Sequence, residues 1–150
     1  MISQASISDL QKINSLIKDS DLEFSPPLSK RVKIDNYVQK VFKHGEIYIY
    51  QVEKEIKGIL LIYINDSLEY KSYLSLILVK KDFRKNKENI GGKLVLYWIE
   101  LAKTRNFKLL EFEVASNKKK LISWYESFGF STISSHNRNN SKCDLMKMEL

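Results

Sequence analysis

Leu74-Ser75-Leu76-Ile77-Leu78-Val79, then Lys80-Lys81-Asp82-Phe83-Arg84-Lys85-Asn86-Lys87-Glu88-Asn89, then Ile90-Gly91-Gly92-Lys93-Leu94 is the stretch on which the fold turns. Residues 73–79 are apolar on both faces, which predicts a covered central strand. Leu94, Val95, Trp98, Leu101 and Ala102, with Leu96, Tyr97 and Ile99 beside them, predict a helix over 90–104. It is apolar almost all round and is therefore expected to be largely buried. Between strand and helix lies a basic turn that carries glycine. The first N–H groups of a helix have no intrahelical partner, and the helix dipole favours negative charge there. A strand ending in such a turn is an anion site, and glycine lets a phosphate approach the backbone closely.

Upstream, a short first strand over 1–6 and a helix carrying Leu10, Ile13, Leu16 and Ile17 are followed by a loop over 19–29 that contains Pro26-Pro27. Val32, Ile34, Tyr37, Val38, Val41 and Phe42 predict a second helix, with Gly45 as its left-handed C-terminal cap. A strand over 46–52, a turn over 53–55 and a returning strand over 56–64 come next. Asn65-Asp66-Ser67 is turn chemistry. Downstream of the central helix, Asn106 is the natural left-handed residue. A strand over 108–115, a helix over 118–128 capped by Gly129, and a hairpin of 130–134 with 143–150 around a polar loop at 136–142 complete the chain. The order predicts one α/β domain over 1–150: a mixed, mostly antiparallel sheet with helices on both faces and one parallel crossover, 73–79 to 108–115.

The 150 residues suffice for one core, and 43% hydrophobic content argues against disorder. A net charge of +7 suits an anionic partner: a phosphorylated cofactor, a nucleic acid or a membrane surface. Basic residues are not interleaved with aromatics in a stripe, so a nucleic-acid-binding basic domain ranks last. The sequence shows neither a signal-peptide pattern nor an apolar run of membrane-spanning length, which predicts a cytoplasmic protein without a membrane partner. Cys143 is the single cysteine, so no disulfide forms within the chain. His44 in a turn and His136 in a polar loop read as surface residues, and no spacing suggests a metal site.

In these residues the chain resembles the GNAT N-acetyltransferases. Val79 followed by Arg84 is similar to the family's strand end and first motif residue, and Asn89-Ile90-Gly91-Gly92-Lys93-Leu94 to its Gly-Ile-Gly-x-x-Leu turn. Residues 108–114 resemble its fifth strand, and Asn117, Trp124-Tyr125 and Gly129-Phe130 its Asn…Tyr-x-x-x-Gly-Phe segment. Arg84 stands two residues further from Asn89 than the family spacing, and Asn89 replaces a glycine. Asn tolerates positive φ, so the turn is expected to survive.

The resemblance implies acetyl-CoA as co-substrate, no metal, and direct transfer of acetyl to a primary amine of a small molecule or protein. A homodimer is compatible with it. Backbone groups at Ile77, Leu78 and Val79 would align pantetheine. Arg84, Lys85, Asn89, Ile90, Gly91, Gly92 and Lys93 would meet the phosphates, and Asn117 would touch pantetheine or cap the helix that follows. Tyr125 would be the general acid toward the departing sulfur, although packing alone also explains its place on an apolar helix face. Glu111 and Glu113 share one strand face, and Glu113 is the candidate base. Asp21 and Glu23 could draw in a cationic amine. The alternative is a non-catalytic acyl-CoA-binding module on the same fold.

Overall fold

The computed structural model describes residues 1–24, 26–66, 70–138 and 140–150. Ile2–Gln4 forms β1, Leu10–Asp19 α1, Ile34–His44 α2, Glu46–Val52 β2, Glu55–Asp66 β3 and Lys71–Val79 β4. Ile90–Thr104 forms α3, Leu109–Ala115 β5, Lys119–Glu126 α4, Ser131–Arg138 β6 and Ser141–Glu149 β7. The strands form one sheet in the order β1-β2-β3-β4-β5-β7-β6. Every neighbouring pair is antiparallel except β4 and β5, which are joined by the α3 crossover. The expected mixed, mostly antiparallel α/β sheet is the one observed.

Alternation along the strands sorts side chains onto two cores. Ile47, Ile49, Ile59, Leu61 and Leu78 pack with the apolar stripes of α1 and α2. Tyr48, Leu60, Ile62, Leu110, Phe112 and Met146 pack with α3 and α4 on the other face. Trp98 of α3 is fully buried, and its indole N–H donates to Ser72 Oγ at 2.8 Å. That hydroxyl in turn donates to the Tyr63 carbonyl at 2.8 Å. The buried indole is thereby satisfied, as a polar group removed from water must be.

Local chemistry explains most element boundaries. Glu53 and Lys54 take φ of 51° and 67°, the mirror-image turn that matches hairpin twist. Asn106 and Gly129 take φ of 64° and 109° behind α3 and α4.

Four expectations are corrected. Gly45 is no left-handed cap, because its φ is −125°. A Cβ there would lie 2.4 Å from the Ile62 carbonyl, so close approach of β3 requires the glycine. Asn65 and Asp66 continue β3, and Asp66 pairs with Lys71; Ser67 of that expected turn lies outside the described residues. The loop at 136–142 is mostly strand, since β6 runs to Arg138, which pairs with Ser141. The expected helix over 118–128 is shorter at both ends.

Candidate active site

β4 and β5 pair only at Lys71–Leu109, Ser72–Leu110 and Tyr73–Glu111. Beyond these three pairs the strands separate. β4 keeps β3 on its other side, so backbone groups from Leu74 onward face the gap without a strand partner. The register against β3 slips by one residue at Leu61/Ile62, which leaves Ser75 as the extra residue of a bulge. Its hydroxyl meets the Tyr37 hydroxyl of α2 at 2.5 Å. The gap is a cleft of about 1170 Å³. Ile77, Leu78 and Val79 line one wall, and Phe112, Glu113, Val114 and Ala115 the other.

At the open end of the cleft, Asn89 takes φ 49° and ψ 53°, the left-handed geometry asparagine tolerates, immediately before α3. The longer loop is a folded turn. Lys81–Phe83 makes one 3-10 turn, Lys85 takes φ 61°, and Asn86 Oδ1 accepts the Glu88 N–H at 3.1 Å. Glu88 accepts the Tyr50 hydroxyl at 3.1 Å and lies 3.5 Å from Lys57 Nζ, which pins the turn to β2 and β3. Among the described residues no group accepts the N–H of Ile90, Gly91 or Gly92. A Cβ on Gly91 would make ordinary contact with Trp124 at 3.5 Å. Packing therefore does not demand that glycine, and the missing Cβ leaves the helix start open to a ligand.

Arg84 Nε donates to the Val79 carbonyl at 2.8 Å, and its guanidinium pairs with both oxygens of Glu23. That hydrogen-bonded pair holds Glu23 below the usual carboxylate value. Lys118 Nζ donates to the Glu23 carbonyl at 3.2 Å. The segment carrying Glu23 therefore ties the β4 side of the cleft to the turn that follows β5.

Tyr125 is 4% exposed, packed on Phe112 with ring centroids 4.3 Å apart. It lines the cleft, and its hydroxyl has no hydrogen-bond partner among the described residues. Burial pushes its phenol far up, so it stays protonated and able to donate. Glu113 also lines the cleft, but Arg138 Nη1 lies 2.6 Å from one oxygen and His136 Nε2 3.0 Å from the other. Glu111 pairs with Lys71 at 3.0 Å and Lys147 at 3.6 Å. Burial and nearby Glu113 raise the Tyr73 phenol; burial raises Tyr37 to about 12.

The cleft thus gathers Ile77, Leu78, Val79, Arg84, Lys85, Asn89, Ile90, Gly91, Glu113 and Tyr125. Gly92 is buried behind Asn89. Lys93 turns away, its Nζ 5.7 Å from the Tyr50 ring centroid. Asn117 is exposed and does not cap α4, whose cap position is Lys118 without a side-chain bond. His136 is a strand residue bonded to Glu113, not a loop residue. Glu23 lines the cleft ion-paired with Arg84, whereas Asp21 lies outside the cleft lining and accepts the Ser29 N–H at 2.9 Å.

Tyr73, Ser75 and Arg138 are cleft residues that sequence reasoning missed. Tyr73 and Ser75 sit in a strand whose apolar run hides them, and Arg138 is brought in by a hairpin register that the sequence does not announce. Among the described residues no group of three or more His, Cys, Asp or Glu side chains could hold a metal ion, and no helix is long and apolar enough to cross a membrane.

A family model described as an acetyltransferase (GNAT) domain matches residues 23–150. Among solved structures, the ribosomal-protein-S18-alanine N-acetyltransferase from Escherichia coli is similar with TM-score 0.82 at 15% identity, covering 99% of this chain and 92% of that one. Ribosomal-protein-alanine N-acetyltransferase from Brucella melitensis gives 0.79 at 18%, covering 100% and 99%. Ard1 from Thermoplasma volcanium gives 0.82 at 15%, covering 100% and 97%. No curated protein matches the chain in sequence.

Proposed function

Since the chain belongs to the GNAT acetyltransferase family, whose model spans residues 23–150, we propose that it moves acetyl from acetyl-CoA directly to a primary amine. The observation that carries this reading is the separation of β4 from β5, with an anion-ready helix start at one end and a buried phenol on its wall.

The residues divide the work. The unaccepted N–H groups of Ile90, Gly91 and Gly92, with Lys85 nearby, hold phosphate oxygens. The unpaired edge of β4 from Leu74 to Val79 offers backbone donors and acceptors to an extended pantetheine arm and a donor to the thioester oxygen. The Tyr125 O–H donates to sulfur as the C–S bond breaks. Glu113 keeps lone pairs beyond those engaged by Arg138 and His136, and it takes the proton that the amine loses, directly or through water. The new amide forms as the thiol leaves, so one proton moves from nitrogen to the protein and one from the protein to sulfur.

A second reading is a module that binds acyl-CoA without turnover. The engagement of both Glu113 oxygens favours it. The discriminating experiment is thermal shift with acetyl-CoA, then thiol release from acetyl-CoA across a panel of primary amines. Stabilisation with thiol release is expected. Stabilisation without release on any amine supports the module, and no stabilisation removes both readings.

A further inference from the structure

α2 presents two unlike stripes. Ile34, Val38 and Val41 are buried against the sheet. Lys33, Asn36, Tyr37 and Lys40, spaced i, i+3, i+4 and i+7, share the stripe that lines the cleft. Arg31, one turn earlier, lines it too. Arg31, Lys33 and Lys40 are exposed, and none has an ion pair among the described residues. The two carboxylates that line the cleft are both engaged, Glu23 with Arg84 and Glu113 with Arg138 and His136. Outside it, Asp35 lies 2.8 Å from Lys18, while Asp21 accepts from the neutral Ser29 and keeps its charge, which Arg31 stabilises. Arg31, Lys33 and Lys40 against Asp21 leave this wall net positive.

The wall is also on the side away from the phosphates. Phe112 and Val114 point into the core beneath α3 and α4, so Glu113 between them faces the α1 and α2 side. Tyr37 and the bulge residue Ser75 meet on that same side. Cations here face the compartment left for the acceptor, whereas the helix start that suits pyrophosphate belongs to α3 on the opposite face.

We propose that the acceptor carries an anionic group, a carboxylate or a phosphate, beside its reactive amine, and that Arg31, Lys33 and Lys40 recognise it. This deepens the acetyltransferase reading and rests on it. A net-positive wall disfavours a polyamine and draws in an acceptor whose second group is negative. Arg31 offers a planar fork for either anion, and the lysines act as point charges.

The test compares four amines of matched length: an ω-amino acid, its carboxamide, the corresponding aminoalkyl phosphate and the diamine. The readout is thiol release from acetyl-CoA. The anionic acceptors are expected to exceed the carboxamide in kcat/KM by about tenfold, an advantage that shrinks as salt shortens the screening length. The carboxylate and phosphate arms identify which anion is preferred. The combined Arg31→Gln, Lys33→Gln, Lys40→Gln protein should collapse the anionic-to-neutral ratio toward one through the acceptor KM. Lys12→Gln, on α1 and outside the cleft, should leave the ratio as it is. A diamine or carboxamide preference overturns the proposal, as does a triple variant that raises only the KM for acetyl-CoA. Thiol release that ranks the amines differently defeats the acceptor assignment alone. Absence of release on all four amines, with acetyl-CoA still stabilising the protein, defeats the transferase reading and this proposal with it.

Discussion

Glu23 and Tyr125 show how single residues set the site's behaviour. The Glu23 carboxylate occupies the guanidinium of Arg84, the side chain expected nearest the phosphates. On the acetyl-CoA reading proposed above, a cofactor phosphate would compete with it for the same donors. Glu23→Gln is therefore expected to tighten acetyl-CoA binding about threefold to fivefold, the range of one partly exposed ion pair, in a titration calorimeter. Weaker binding would mean that the pair positions Arg84 instead of blocking it. Tyr125→Phe keeps the ring packed on Phe112 and removes a hydroxyl that bonds nothing among the described residues. It should lower kcat about 100-fold while leaving the melting temperature and acetyl-CoA affinity nearly unmoved. An unaltered kcat would reduce Tyr125 to a packing residue.

The elements respond to chemistry that crosses between them, and here the sequence is unevenly legible. The bounds of α3 can be read because a left-handed Asn89 and an apolar run are local signals, and both appear as expected at Ile90–Thr104. β6 cannot be read past Ser134. Ser131–Arg138 is exposed along its length and carries no apolar alternation, so pairing to β7 and side-chain bonds to Asp144 and Glu113 make it a strand. Gly45 was legible as a glycine after a helix, but the Ile62 carbonyl that requires it is far away in sequence. For the same reason the partners of Glu113, on β6, were hidden. The closing hairpin also holds Asp144, 7% exposed, which accepts Ser116 Oγ at 2.5 Å and Ser135 Oγ at 2.7 Å. These bonds hold its carboxyl below the usual value. A depressed folded-state pKa stabilises above the unfolded value, near 3.9, and that contribution is lost as pH falls through the folded value. Acid unfolding should steepen below about pH 4, and Asp144→Asn should remove that share of the slope. An identical acid limb in the variant would show that the serines do not favour the charged form.

At the scale of the molecule, the sheet is two arms, β1–β4 and β5–β7–β6, joined at three parallel pairs. The same separation that opens the cleft leaves the arms little ladder in common, so other contacts must carry the joint. Ser72 lies in that joint, pairs with Leu110 of β5, and is 0% exposed. Its hydroxyl accepts the Trp98 indole N–H and donates to Tyr63, linking α3, β4 and β3 beside the vertex. Ser72→Ala leaves a buried indole N–H without an acceptor, at a cost of about 1–3 kcal/mol. For a chain of this length each kcal/mol shifts the melting temperature by about 2–4 °C. Because Trp98 also stacks on Phe130 at 5.8 Å and meets Phe112 at 6.4 Å, loosening it reaches both arms at once. The unfolding transition should therefore move as a whole and not split in two. A double-mutant cycle with Trp98→Phe isolates the bond from the ring: Ser72→Ala should cost less in the Trp98→Phe background, where no indole N–H is stranded. Equal costs in both backgrounds would place the stabilisation in the Ser72–Tyr63 bond alone. Acetyl-CoA, by binding only the folded state, should raise the melting temperature of the single variant with the logarithm of its concentration above Kd.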